Sequence, residues 1–238
     1  MFIDLHSHIL HGVDDGPESL EMAVEMIQFA ADNGIRAICA TPHVLDSLQN
    51  EDLVISRFKK ISETVREADI PIDLYLGAEI NFQFGIEEIL ESPIGTYRGM
   101  GRYFLVETTL THFPKHFEST IQSVINSGRR AIFAHPERVG PIVGDIDLLK
   151  DLTNIGILLQ VNAGSLLGNF GSKTKNFAWD ILENKLASFV ASDAHDMRRR
   201  AFNLKEVWQR ICDKYDDDTA DRLMFDNPMK VIMGERFG

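Results

Sequence analysis

Two histidines two positions apart, His6 and His8, follow the apolar start of the chain. Alternate side chains of an extended segment share a face, so both imidazoles are expected together near the C-terminal end of a first strand. Placed so, they either hold a divalent ion or form a hydrogen-bonded pair of surface histidines. The rest of the chain bears on that choice. Further β-rich segments end in Thr-Pro-His43, Ala-Glu79, Val-Glu107, Ala-His135-Pro-Glu-Arg138 and Ser-Asp193-Ala-His195. Singly, each ending has an ordinary explanation, such as a solvated carboxylate or an Asp capping the next helix. Together at one rim, these groups repel or lose hydration at a cost of several kcal/mol unless a cation neutralises them.

Imidazole and carboxylate without thiolate suit Zn, Mn or Fe. With Asp15 from the Val13-Asp14-Asp15-Gly16 turn, the candidate ligands are His6, His8, Asp15, His43, Glu79, Glu107, His135, Asp193 and His195. That is too many for one ion, and two or three are expected. Ions about 3.5–4 Å apart, bridged by a carboxylate such as Glu79, would lower the pKa of a shared water toward about 7 and supply hydroxide as nucleophile. Asp14 beside Asp15 leaves open which of the two only turns the loop.

Seven strands are predicted to carry these groups: 2–7, 36–41, 73–79, 103–108, 130–134, 157–162 and 187–192. Helices are predicted between them at 18–33, 52–68, 116–127, 145–154, 173–184 and 200–214, the first opened by Pro17 and closed by Asn33-Gly34. The acidic patch Asp216-Asp217-Asp218 then leads into a short C-terminal segment. No linker, repeat or low-complexity tract interrupts 1–238, which reads as a single domain. Alternating strands and helices imply an α/β fold with parallel strands, as an open doubly wound sheet or a closed barrel, with the site at the strand C-termini in either case.

Composition narrows the partners. Thirty-six Asp+Glu against twenty-four Lys+Arg give a net charge of -12, a field that repels nucleic acid and anionic lipid. No stretch approaches the roughly 18 apolar residues of a membrane span and no basic leader precedes the first strand, so no membrane insertion and a cytoplasmic location are expected. The only two cysteines, Cys39 and Cys212, are expected to be buried small hydrophobes. Neither has an Arg six positions later, where Leu45 and Asp218 stand, so the CX5R loop of a thiol-based phosphatase is excluded.

Together FIDLHSHILHGVDDGP, ATPH, GAE, VET, AHPER and VASDAH resemble the motif series of the PHP (polymerase and histidinol phosphatase) superfamily. Within it they most resemble the bacterial manganese-dependent protein-tyrosine phosphatases of capsular and exopolysaccharide synthesis, the CpsB/CapC/YwqE type, from Phe2 to about Arg200. The resemblance implies a distorted (β/α)7 TIM-like barrel, the PHP fold, with a trinuclear centre held by the nine residues above. It implies hydrolysis of phosphotyrosine on the tail of a membrane-associated bacterial tyrosine kinase that controls polymer length. Arg138 of AHPER matches one arginine of the subgroup and Arg200 its second, though Arg198 and Arg199 stand beside it. Guanidiniums next to a metal cluster suit bidentate clamping of phosphate oxygens.

His11 departs from the usual Pro of the subgroup, and Val44 to Asn50 match no pattern in it. His112 and His116 are expected in an exposed loop. Phe82, Phe84, Phe113, Phe117 and Phe170 could wall a substrate ring or belong to the core. The rival enzyme readings are another PHP phosphoesterase, such as a histidinol-phosphate phosphatase or a nuclease, and an amidohydrolase. The rival outside enzymes is a metal-stabilised module that binds a kinase tail.

Overall fold

Parallel pairing joins all neighbouring strands in the computed structural model, which describes residues 1–44, 50–83 and 85–237. In chain order the elements begin β1 (Phe2–Ser7), α1 (Leu20–Asp32), β2 (Ile35–Ala40), β3 (His43–Val44), α2 (Glu51–Glu67), β4 (Asp73–Leu76), β5 (Glu79–Asn81) and α3 (Ile86–Leu90). There follow β6 (Tyr103–Glu107), α4 (Phe117–Asn126), β7 (Arg130–Ala134), α5 (Ile146–Asn154), β8 (Leu158–Asn162), α6 (Ala163–Leu167), α7 (Ser172–Glu183) and β9 (Ala187–Ala191). The chain closes with α8 (Leu204–Lys214), α9 (Asp217–Asp221) and α10 (Asn227–Met233).

Two predicted strands are broken. Pro42 has no N–H to give a ladder, so the second stops at Ala40 and resumes as β3; the third breaks at Gly77-Ala78 and resumes as β5. This leaves one sheet ordered β1-β2-β4 and another ordered β3-β5-β6-β7-β8-β9. Gly77 N donating to Ala40 O at 2.9 Å and Glu79 N donating to Pro42 O at 3.0 Å carry the pairing across the breaks. At the other side, a Ser7–Ala194 bridge joins β9 back to β1, with Asp193 N donating to His6 O at 2.9 Å and His8 N to Ala194 O at 2.8 Å. The result is the expected distorted (β/α)7 TIM-like barrel.

Ile3, Leu5, Cys39, Leu105, Ile132 and Phe189 fill the barrel interior. The register on β1 slips between Asp4 and Ser7, where three steps on β1 match two on β2, from Ile38 to Ala40. This bulge lets Leu5 point into the interior core while His6, the next residue, also faces the interior site. The outer core is built by helix stripes such as Ala23, Met26, Ile27 and Ala30 of α1, spaced at one helical face.

Helix ends differ from expectation for local reasons. α1 starts at Leu20 rather than 18 because the Ser19 hydroxyl accepts from Met22 N at 3.3 Å. α8 starts at Leu204 rather than 200 because Asp196 Oδ1 gathers the N–H groups of Arg198, Arg199 and Arg200 into a turn. The acidic patch, expected to lead into a short C-terminal segment, opens a further helix: Asp216 caps α9 by accepting from Thr219 N at 2.6 Å, and Asp217 and Asp218 occupy its electropositive first turn. A π-helical turn, Arg222–Asp226, continues α9 into α10, whose Val231 and Ile232 join the interior core. Among the described residues no helix is long and apolar enough to cross a membrane.

Candidate metal centre

Strand ends bring the predicted groups to one mouth of the barrel. Imidazole nitrogens and carboxylate oxygens form three overlapping groups, each with its atoms within 4.8 Å of one another. The first comprises His8, Asp15, His43 and His195; the second His6, His8, Glu79 and Asp193; the third His43, Glu79 and Glu107. His135 stands outside these groups but adjoins two of them, its Nε2 2.8 Å from Glu79 Oε1 and 3.8 Å from Glu107 Oε2. All nine expected residues therefore meet at one rim, and Glu79, wholly buried, lies at its centre.

The local backbone explains how adjacent strand ends aim inward. His135 (φ 35°) and Asp193 (φ 55°) both occupy the left-handed region, a costly conformation for residues with a Cβ that turns each side chain out of the strand's alternation. A Cβ at Gly16 would overlap the His8 carbonyl oxygen, so glycine permits the loop carrying Asp14 and Asp15 to lie against β1. The two aspartates separate by role. Asp14 Oδ1 accepts from Gly16 N at 3.1 Å, and Oδ2 from His43 N at 3.2 Å and His8 Nδ1 at 2.7 Å, so Asp14 shapes the turn and orients an imidazole. Asp15 Oδ1 instead faces His195 Nε2 at 3.1 Å and His43 Nε2 at 3.5 Å.

The donor set fits a cation. With His6 Nδ1 donating to Gln160 Oε1 at 2.8 Å and His8 Nδ1 to Asp14, both Nε2 atoms face the centre, only 3.3 Å apart. Glu79 Oε2 is within 3.1–3.2 Å of His6 Nε2, His8 Nε2 and His43 Nδ1, yet it has no well-formed hydrogen bond and is buried. One carboxylate oxygen ringed by three imidazole nitrogens is poorly served by protons alone, and divalent ions satisfy the same atoms.

Electrostatics agree. Burial disfavours the charged imidazole of His6, but the Glu79 and Asp193 carboxylates outweigh it and push its pKa up to about 9. Burial likewise opposes charge on His43, while Asp15, Glu107 and Glu79 push it up to about 11. Glu79 is held well below the usual carboxylate range: burial raises it, and the charge of His6 together with the His135 bond and the adjacent His8 imidazole more than reverses this. In the metal-free protein at neutral pH, His6 and His43 are therefore imidazolium ions that a metal must deprotonate. Metal binding at pH 7.5 is expected to release about two protons, measured by calorimetry in buffers of different ionisation enthalpy. Release of less than one proton contradicts this. Because both folded-state values lie above the unfolded 6.5, their stabilisation is complete below that pH and is lost as pH rises through 9 to 11. Metal-free protein should thus lose thermal stability from pH 7 to 10 through these two groups, a contribution absent once ions replace their protons.

Two arginines reach the same rim. Arg138 Nη1 donates to Asp193 Oδ2 at 2.7 Å, and its guanidinium carbon lies 4.2 Å from the Phe170 ring centre. Arg200 Nη2 donates to Asp193 Oδ1 at 2.8 Å and Nη1 to Asp15 Oδ2 at 3.2 Å. Arg198 and Arg199 are exposed and have no side-chain hydrogen bond or ion pair among the described residues, which separates Arg200 from its two neighbours. Phe82, Phe113 and Phe117 pack with Phe133 in an aromatic cluster, so of the described phenylalanines considered above only Phe170 contacts a rim guanidinium. Phe84 and residues 45–49 lie outside the described residues. His112 is exposed, His116 is half-buried against Phe82, and His11 accepts from Arg57 Nη1 at 3.1 Å, outside the three groups.

The groups that support the ligands are not ionisable strand ends. The sixth predicted strand, 157–162, ends in Gln-Val-Asn, without a His, Asp or Glu at its close. Its Gln160 receives His6 Nδ1–H and donates to Asn162 Oδ1 at 2.7 Å, and Asn162 Nδ2 donates to Asp193 Oδ2 at 2.7 Å. This relay ties the first strand's imidazole to the last strand's carboxylate. Asp4, fully buried, fastens the same seam: its Oδ1 accepts from Ser192 N at 3.0 Å and its Oδ2 from Ser192 Oγ at 2.5 Å. Glu137 accepts from Asn162 N at 2.9 Å and Ser165 Oγ at 2.7 Å, holding the turn that presents Arg138. The inward alternation of Gln160 and Asn162 was the signal available for them.

These features define a parallel α/β barrel with a candidate polynuclear metal centre at its C-terminal mouth. The family model for capsular polysaccharide synthesis proteins, CpsB/CapC, matches residues 2–233, and the chain belongs to this family. Tyrosine-protein phosphatase YwqE of Bacillus subtilis (strain 168) is 33% identical over 207 residues, covering 86% of this chain and 82% of that protein. Tyrosine-protein phosphatase CpsB of Streptococcus pneumoniae is 28% identical over 240 residues, covering 98% and 99%. A solved structure from work on these two proteins, described as unique metal-dependent tyrosine phosphatases, superposes with a TM-score of 0.92 at 29% identity, covering 99% of this chain and 96% of that one. Histidinol phosphate phosphatase of Lactococcus lactis shares the fold, with a TM-score of 0.55 at 14% identity over 90% of this chain and 93% of that one.

Proposed function

We propose that this chain is a metal-dependent protein-tyrosine phosphatase. The observation that carries the reading is the approach of two guanidiniums to a rim of imidazoles and carboxylates, where a phosphate ester can meet both kinds of cation. His6, His8, Asp15, His43, Glu79, Glu107, His135, Asp193 and His195 would hold two or three divalent ions, with manganese preferred and iron or zinc compatible with the same donors. When bound, such ions supply Lewis acidity and an acidified water.

The chain's own groups do the rest. Arg138 spends only Nη1 on Asp193, leaving N–H groups of its planar fork for phosphate oxygens, and Phe170 beneath it fixes the plane. Arg200 closes the opposite side of Asp193 and adds a second positive charge against the equatorial oxygens. Half-buried Phe170, beside the Arg138 guanidinium, offers the tyrosyl ring an apolar neighbour. A phenol leaves with a pKa of about 10, so a general acid assists departure without being obligatory.

Membership of a capsular polysaccharide synthesis family supports a phosphoprotein substrate of that machinery, the tyrosine-bearing tail of a membrane-associated bacterial kinase, met on the cytoplasmic side. The test compares phosphotyrosine peptide, p-nitrophenyl phosphate and histidinol phosphate on protein reconstituted with manganese after elemental analysis. The peptide is expected to have the largest kcat/KM of the two biological esters. A tenfold preference for histidinol phosphate would sink the reading, and tight peptide binding without turnover would favour a binding module.

A further inference from the structure

At the end of the barrel opposite the imidazoles, four arginines surround one cavity. Arg102 precedes β6, Arg129 precedes β7, Arg130 opens it, and Arg236 follows α10; with Tyr103 and Phe237 they line a space of about 270 Å³. Among the described residues no Asp or Glu belongs to the lining. In a chain whose acids outnumber its lysines and arginines by twelve, this exclusion is the informative fact, because interspersed acids would relieve the repulsion.

Structural duties account for part of the cluster. Arg102 Nη1 donates to Gly234 O at 2.6 Å and Tyr103 Oη donates to Glu235 O, so these two hold the C-terminal segment as one wall. Phe237 stands edge-on to Tyr103 with ring centres 5.9 Å apart. Arg129 Nη2 pairs with Glu91 at 2.5 Å. Beyond these, Nε of Arg102 and of Arg129 are buried with no hydrogen-bond partner among the described residues. Neither Arg130 nor Arg236 has a side-chain hydrogen bond or ion pair among the described residues, and both are exposed.

We infer that this cavity is a second anion site, built for a compact phosphate-bearing oligoanion of the diphosphate type. Guanidinium forks match phosphate oxygens in pairs, and Glu91 offsets only one of the four charges, which leaves a surplus that a multiply charged anion answers better than a monoanion. The volume falls below the roughly 300–1,000 Å³ of pockets that enclose a whole drug-sized molecule, so the anionic head alone enters. The tyrosyl and phenyl edges close its apolar side.

The test is calorimetric titration of the metal-loaded protein with inorganic diphosphate, in excess magnesium so that the bound ions are retained. Two binding events are expected, one at the mouth and one at the arginine cavity. Arg236→Glu and, separately, Arg130→Ala should weaken the second event at least tenfold while phosphotyrosine turnover stays within twofold of wild type. Both positions are exposed and make no side-chain hydrogen bond or ion pair among the described residues, so folding is expected to be preserved, as a melting curve checks. Arg138→Ala should alter the mouth event alone. ADP displacing diphosphate from the cavity identifies the terminus of a larger ligand, and failure of ADP to do so identifies the free anion; either supports the site. A single event, or isotherms unchanged by both lower variants, overturns it without touching the phosphatase reading.

Discussion

Glu79→Gln is expected to remove most of the bound metal and lower kcat/KM on a phosphotyrosine peptide by roughly 10³-fold or more. Glu79 is the group on which the rim converges: His6, His8 and His43 all stand within 3.1–3.2 Å of Oε2, and His135 donates to Oε1 at 2.8 Å. The substitution keeps size and shape while removing the charge that offsets the imidazoliums of the metal-free protein and that would help hold the ions. It should also destabilise the metal-free fold, since a buried charge that loses its partner costs about 3–5 kcal/mol. Elemental analysis with melting curves at matched pH measures both effects. Full metal content together with more than a tenth of wild-type turnover would remove Glu79 from the centre of the scheme.

Arg138→Ala carries the second large effect and separates binding of metal from handling of phosphate. Arg138 touches Asp193 through one Nη only, and Asp193 keeps its bonds from Arg200 and Asn162. The metal complement is therefore expected to stay near wild type while kcat falls about 10²–10³-fold, the scale of losing one donor to transition-state charge. Arg138→Lys should recover only part of this, because an ammonium cannot present a planar fork or stack on Phe170 in the same way. Unchanged kcat would exclude Arg138 from the reaction. Loss of metal in step with activity would recast it as a support for Asp193.

The sequence reading reached furthest where chemistry is written in residue type. A His, Asp or Glu at a strand end needs no knowledge of angles to be noticed, and parallel barrels gather strand ends at one mouth, so the nine candidates could be named before any coordinate. Supports made of neutral amides were harder to see. Gln160 and Asn162 lie on a strand that looked inert, because carboxamides act through direction and only a neighbour reveals that direction. Asp4 was hidden for another reason: simple alternation puts it on the face of His6, and the bulge between Asp4 and Ser7 breaks that alternation.

Sequence alone therefore determined the class of fold, the set of charged groups and the end of the barrel where they belong, since periodicity and residue chemistry are local properties. It also limited the second arginine to 198, 199 or 200. Tertiary structure decided that Arg200 reaches Asp193, that Asp15 rather than Asp14 faces His43 and His195, and that Asp216 starts a helix whose continuation plugs the barrel floor. Those outcomes depend on which atoms from distant segments come within hydrogen-bonding reach, a long-range condition that spacing along the chain does not encode.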